Sequence, residues 1–170
     1  EGFSEASGLP LKRGYVRSHY IGRTFIRPTN ILRERGVSLK LSAIREVLNG
    51  KRVVIFDDSI VEGNTSRSRV RLARRAGAKE VHLYISSPKL VGSCPYGIDF
   101  HTERMRANKI PSDQEFMRLI GVDSLVHLSL EGMVEAIARV PFDTRARIAY
   151  DPRSFCKGCM TLDYPVPLGE

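Results

Sequence analysis

Apolar residues recur along this chain at two different periods, and the switches between them mark out its elements. Val53–Phe56 is a continuous apolar run, short enough to predict a strand buried on both faces of a parallel sheet. From Thr65 to Ala76 the spacing becomes that of an amphipathic helix, with Val70 and Ala73 on its core face and Gly77 at its end. AKEVHLYISS then reads as a second strand. Strand, loop, helix and strand in that order form a βαβ unit, which places the chain in the α/β class.

The flanks are less regular. Residues 4–8 predict the end of a helix closed by Gly8, with Pro10 beyond it. LKRGYVRSHY reads as a strand. IGRTFIRPTNILRERGVSLK reads as a long polar connection, rich in arginine and broken by Gly22, Pro28 and Gly36. Residues 42–49 predict a short helix ended by Asn49 and Gly50. Ser112 and Glu115 have capping-box spacing ahead of Phe116, Leu119 and Ile120, with a stop at Gly121. SLVHLSL predicts a strand and SLEGMVEAIARV a last helix. Past Pro141 the chain turns irregular, and its prolines and tyrosines predict a tail wrapped on the surface, not a second domain. No internal repeat is visible.

Composition changes this picture in three ways. With 42% hydrophobic and 27% charged residues in 170, the chain is that of one soluble domain. No apolar run approaches the roughly 20 residues of a membrane span, and no signal peptide opens the chain, so no membrane partner and a cytoplasmic location are expected. The first residue is Glu1, not methionine, so a fragment, a processed product or an excised domain is expected. The net charge of +8 raises the question of nucleic acid. Residues 1–75 hold 16 Lys/Arg against 7 Asp/Glu, however, while residues 76–170 hold 11 against 12. The surplus shares a half with the loop after Val53–Phe56, where it would steer a polyanionic small molecule. No aromatic stripe alternates with the basic residues, so a nucleic-acid partner is not expected.

That loop carries the chemistry. VVIFDDSIVEGNTS joins a strand to a helix N-terminus, where unpaired N–H groups and the helix dipole favour an anion. Gly63 permits a backbone conformation that other residues resist, and Thr65 and Ser66 supply hydroxyls. Asp57 and Asp58 stand at the carboxyl end of the strand, where α/β sheets place ligands. Carboxylates there accept hydrogen bonds from sugar hydroxyls or hold Mg²⁺, directly or through water. A ligand with both a phosphate and a polyol or metal reconciles the acidic pair with the anion-binding loop. The plainer alternative is a polar turn with an aspartate at a helix cap. The loop matches neither a P-loop nor a dinucleotide fingerprint.

The same stretch resembles the phosphoribosyl-pyrophosphate (PRPP) motif of type I phosphoribosyltransferases. Its flanks narrow the resemblance to amidophosphoribosyltransferases: HYIGRTFIRP, GVSLKLSAIREVLNGKRVV, GAKEVHLYISSP, CPYGID and DSLVHLSLEGMVEAI, in register over almost the whole chain. The resemblance implies a Rossmann-like parallel sheet of the type I phosphoribosyltransferase fold, partial here, over residues 1–140, with an irregular tail over 141–170. It implies that PRPP reacts with ammonia from glutamine to give phosphoribosylamine and pyrophosphate, the first step of purine synthesis. Asp57 and Asp58 would bind the ribose hydroxyls and the Mg²⁺ site. Ser59, Ile60, Val61, Glu62, Gly63, Asn64, Thr65 and Ser66 would wrap the 5′-phosphate. Residues 20–40 would be a catalytic lid, with Arg23, Thr24, Phe25, Ile26 and Lys40 closing over the substrate; a solvated basic linker is the alternative. Two positions depart from the family's DDSIVRGTTS: Glu62 replaces a basic residue and Asn64 a threonine. Glu62 adds negative charge beside the phosphate, which weakens binding unless it points outward.

Cys156 and Cys159 form a C-x₂-C pair, 62 residues beyond Cys94. By spacing alone this suits zinc, redox chemistry or free thiols. The resemblance favours a [4Fe–4S] cluster, in which Cys94, Cys156 and Cys159 match three of four ligands and the fourth lies upstream of Glu1. It also places the glutaminase domain, the first transferase strand and the pyrophosphate loop outside this chain, so the segment alone is expected to be inactive. Purine nucleotide feedback and a homo-oligomer are further expectations of the family. Two other functions stay open: a PRPP-binding regulatory module without catalysis, and a phosphoribosyltransferase of nucleobase salvage. His19, His82, His101 and His127 receive no role.

Overall fold

A computed structural model describes residues 1–17, 41–98, 110, 112–139 and 155–166. They fall into two compact units. One comprises residues 1–54, 64–82 and 120–123, the other residues 55–63, 83–119 and 124–170.

In the first unit, helix α1 (Gly2–Ser7) ends as expected at Gly8, whose φ of 71° lets its N–H close on the Ser4 carbonyl. Strand β1 (Tyr15–Arg17) pairs antiparallel with β2 (Leu41–Ala43), Val16 opposite Ser42. The short helix α2 (Arg45–Leu48) therefore starts later than the sequence predicted, because residues 41–43 spend their backbone groups on β1. Helix α3 (Asn64–Arg75) buries Val70 and Ala73 as its spacing required. Around them pack Leu48, Ala76, Ala78, Val81, Ile120 and Val122. Two polar ties hold this core. The Tyr15 hydroxyl donates to the Arg69 carbonyl at 2.9 Å, and burial pushes its pKa up to about 12, against the opposing pull of Arg69. Arg74 donates to the carbonyls of Lys79 and Gly121 and to the Asp123 carboxylate, which also accepts the Val81 N–H at 2.6 Å. That N–H, then Arg74, hold the Asp123 carboxyl below its ordinary range.

Strands β3 (Arg52–Asp57), β4 (Glu80–Ile85) and β5 (Ser124–His127) form a sheet in that order. Its backbone bonds advance in the same direction along each pair, as in a parallel sheet. The Lys79 N–H meets the Lys51 carbonyl and the Ser86 N–H that of Asp57; Asp123 meets Val81 and Leu128 meets Ile85. Central β4 alternates strictly, with Val81, Leu83 and Ile85 buried. Strand β3 departs from the prediction of burial on both faces. Ile55 is buried, but Phe56 is 46% exposed and meets the edge of Tyr84, at 5.6 Å between centroids. Among the described strands β3 ends the sheet order, which leaves Phe56 half covered.

In the second unit, Ile55, Leu83, Ile85, Leu90 and Phe116 form the core. Helix α4 (Asp113–Ile120) opens on the predicted cap, the Glu115 N–H donating to the Ser112 hydroxyl at 3.1 Å. Leu119 is exposed. Helix α5 (Leu130–Ala138) is capped by Ser129 and buries no residue. Helix α6 (Gly158–Thr161), which the sequence did not suggest, carries Cys159.

Candidate functional site

Asp57 is the last residue of β3, and residues 58–63 continue without regular structure. Asp58 is exposed, while Asp57, Ser59, Ile60, Val61 and Glu62 are partly covered and Gly63 is buried with φ 82°. Each carboxylate turns onto the chain just after it. The Asp58 N–H donates to Asp57 Oδ1 at 3.3 Å, and the Ser59 N–H to Asp58 Oδ1 at 2.7 Å. The backbone of the pair is held from β4: Ser86 donates its N–H to the Asp57 carbonyl at 3.0 Å, and its hydroxyl lies 3.3 and 3.5 Å from the carbonyls of Asp57 and Asp58. Sequence reasoning missed Ser86; its signal was its place as the first residue after a strand parallel to β3. Asn64, Thr65 and Ser66 form the first turn of α3, in the other unit. Ser66 is 2% exposed, so its hydroxyl belongs to that unit's interior. Arg23, Thr24, Phe25, Ile26 and Lys40 lie outside the described residues.

Ile60 also lines a cleft with Leu90, Phe116, His127 and the Lys89–Asp113 ion pair of 2.7 Å. Its empty space, open to solvent, is about 320 Å³. Among the described residues, His127 Nδ1, buried there, has no hydrogen-bond partner. Burial pushes this imidazole below its ordinary range, against a hydrogen bond to the Ser87 backbone and the nearby Asp113 carboxylate.

The cysteines are reduced, with Cys156 exposed and Cys94 and Cys159 partly covered. Burial, then the neighbouring thiols of Cys94 and Cys156, push the Cys159 thiol up. Three soft sulfur donors suit an iron–sulfur cluster or zinc in kind. Among the described residues, however, no three His, Cys, Asp or Glu side chains are arranged closely enough to hold a metal ion. No described helix is long and apolar enough to cross a membrane.

A parallel α/β sheet with paired carboxylates at a strand end, followed by a glycine loop and a helix, defines the class: a type I phosphoribosyltransferase fold. Within that class, the homologues of this chain are amidophosphoribosyltransferases. It is 49% identical over 167 residues to amidophosphoribosyltransferase 1, chloroplastic, of Arabidopsis thaliana, covering 97% of this chain and 27% of that protein. It is 47% identical over 164 residues to the amidophosphoribosyltransferase of Methanocaldococcus jannaschii, covering 96% and 32%. The glutamine PRPP amidotransferase of B. subtilis, solved in complex with ADP and GMP, superposes with a TM-score of 0.74 at 45% identity, over 96% of this chain and 34% of that one. The chain thus spans about a third of the length of the relatives it matches. No protein-family model matches it.

Proposed function

We propose that this chain is the transferase portion of an amidophosphoribosyltransferase, joining ammonia to PRPP in the first step of purine synthesis. The observation that carries the reading is the carboxylate pair at the end of β3, in a chain aligned with that family over nearly its whole length. A bond forms between the ammonia nitrogen and the anomeric carbon as the bond to pyrophosphate breaks. Asp57 and Asp58 orient the ribose by accepting from its hydroxyls, and residues 59–66, ending in the first turn of α3, bind the 5′-phosphate. Mg²⁺ held by Asp57 and Asp58 would neutralise charge on the leaving pyrophosphate. Arg23 and Lys40 complement that charge, and the segment carrying Thr24, Phe25 and Ile26 excludes water from the activated sugar. Cys94, Cys156 and Cys159 would supply three ligands of a [4Fe–4S] cluster, which when bound cross-links the tail to the rest of the chain.

Other parts of the reading concern a longer protein. They are a glutaminase region that supplies the ammonia, purine nucleotide feedback, a homo-oligomer and a cytoplasmic location. The division into a transferase part over 1–140 and a tail over 141–170 belongs here too. Feedback draws support from the ADP and GMP in the B. subtilis relative.

Calorimetric titration with PRPP and Mg²⁺ tests the site. Asp57→Asn and Asp58→Asn are each expected to weaken binding about tenfold or more, since each removes a charge-assisted acceptor. Unchanged binding in both sinks the assignment. In the native full-length polypeptide, PRPP binding without ammonia-dependent pyrophosphate release would favour a regulatory module. Release with a nucleobase and none with ammonia would favour salvage.

A further inference from the structure

We propose that Ser86 is a positioning residue for PRPP: its hydroxyl fixes the bend between Asp57 and Asp58 and so sets both carboxylates on one ligand. This rests on the reading of those aspartates as ribose ligands. Adjacent residues of a strand send their side chains to opposite faces of the sheet and their carbonyls to opposite edges. Continued unchanged, β3 would turn the Asp58 carbonyl away from β4 and hold the two carboxylates on opposite faces. Instead one hydroxyl, that of Ser86 on the β4 side, lies 3.3 Å from the Asp57 carbonyl and 3.5 Å from the Asp58 carbonyl. Both carbonyls face β4, so the pleat breaks between them, and the regular strand ends at Asp57.

The backbone holds Ser86 firmly enough to fix that break. It directly follows β4, the central strand of the sheet. Its own N–H donates to the Asp57 carbonyl at 3.0 Å, and the Ile85 carbonyl before it accepts the Leu128 N–H, also at 3.0 Å. The chain at this point is thus tied on both sides, to the end of β3 and to the residue after β5. Ile85 beside it is buried. Ser86 itself is exposed, so water can satisfy the two carbonyls when the hydroxyl is gone. The hydroxyl therefore contributes direction more than stability. It offers one proton to two acceptors, and either bond restrains the peptide that links the aspartates. Each carboxylate adds its own restraint by accepting the N–H that follows it.

The test is calorimetric titration of the native full-length polypeptide with PRPP and Mg²⁺. Ser86→Ala keeps the backbone bond and loses the hydroxyl; it is expected to weaken binding about fivefold, with an unchanged urea midpoint. Ser86→Thr restores the hydroxyl and is expected to bind within about twofold of wild type. Where Asp57→Ala and Asp58→Ala are already present, Ser86→Ala is expected to change binding less than about twofold, because the carboxylates it positions are gone. Wild-type affinity in Ser86→Ala overturns the inference and leaves the ribose reading standing. So does a loss of the same size in both backgrounds, which would show that Ser86 acts other than through the aspartates. A threonine variant as weak as the alanine one overturns it too, since the hydroxyl is then not the cause. Absence of PRPP binding in wild type overturns the ribose reading, and the inference falls with it.

Discussion

His127 shows what one side chain costs when its surroundings satisfy it by half. Its Nδ1 is sealed from water without a partner among the described residues, and burial disfavours the charged ring. Lys89 and Asp113 face it with opposite effects, the carboxylate favouring protonation and the ammonium opposing it. In the unfolded chain the imidazole gains a proton near its ordinary value of 6.5, while in the folded chain it resists. The unfolded state thus binds more protons in that window, and stability falls as pH drops below 6.5. His127→Leu is expected to flatten this dependence: between pH 7 and 5 its urea midpoint should move less than that of wild type. An equal or steeper slope in the variant would show that His127 is not the titrating group. Nothing in the spacing of SLVHLSL distinguished this histidine from an ordinary packed one, because its isolation depends on helix α4 and the segment 87–90, which are distant in sequence.

At the scale of elements, the sequence was legible wherever local pattern and local chemistry decide. Helix α3, strand β4, the Ser112 cap and the closing turns at Gly8 and Gly77 all lie where spacing and glycine placed them. What was illegible depends on partners. The pairing of Tyr15–Arg17 with Leu41–Ala43 crosses 23 intervening residues, and no local signal announces it. Phe56 belongs to an apolar run that looks fully buried, yet its cover depends on what lies beside β3. The turn after α3 gives a sharper test. Gly77 has φ 92°, and a Cβ there would stand 2.2 Å from Asn49 Oδ1, whereas Gly50 has φ 69° and open space. Gly50→Ala is expected to cost about 1 kcal/mol from backbone conformation alone. Gly77→Ala should cost at least about 1 kcal/mol more, because Asn49 must also move. Urea unfolding of the two variants checks this, and equal midpoints would refute the steric part.

For the whole molecule, the proposed function joins residues that the sequence holds far apart. The proposed roles of the acidic pair, of residues 59–66 and of the cysteines come from residue types and spacing, which are local in the sequence. Ser86 was not legible, since it acts by holding another segment's backbone in place. The basic surplus of the first 75 residues includes Arg23 and Lys40, assigned above to the leaving pyrophosphate. In the native full-length polypeptide, Arg23→Ala and Lys40→Ala are each expected to lower ammonia-dependent turnover about a hundredfold. Near-normal rates in both would remove the segment from catalysis. The grip of Ser86 on the carboxylate pair has a consequence for how this site can drift. It holds main-chain carbonyls, which every residue has, so the fold places no demand on the side chains at 57 and 58 through this contact. A library randomised at those two positions should therefore yield many stable proteins and few that retain the ligand, separating selection for folding from selection for work.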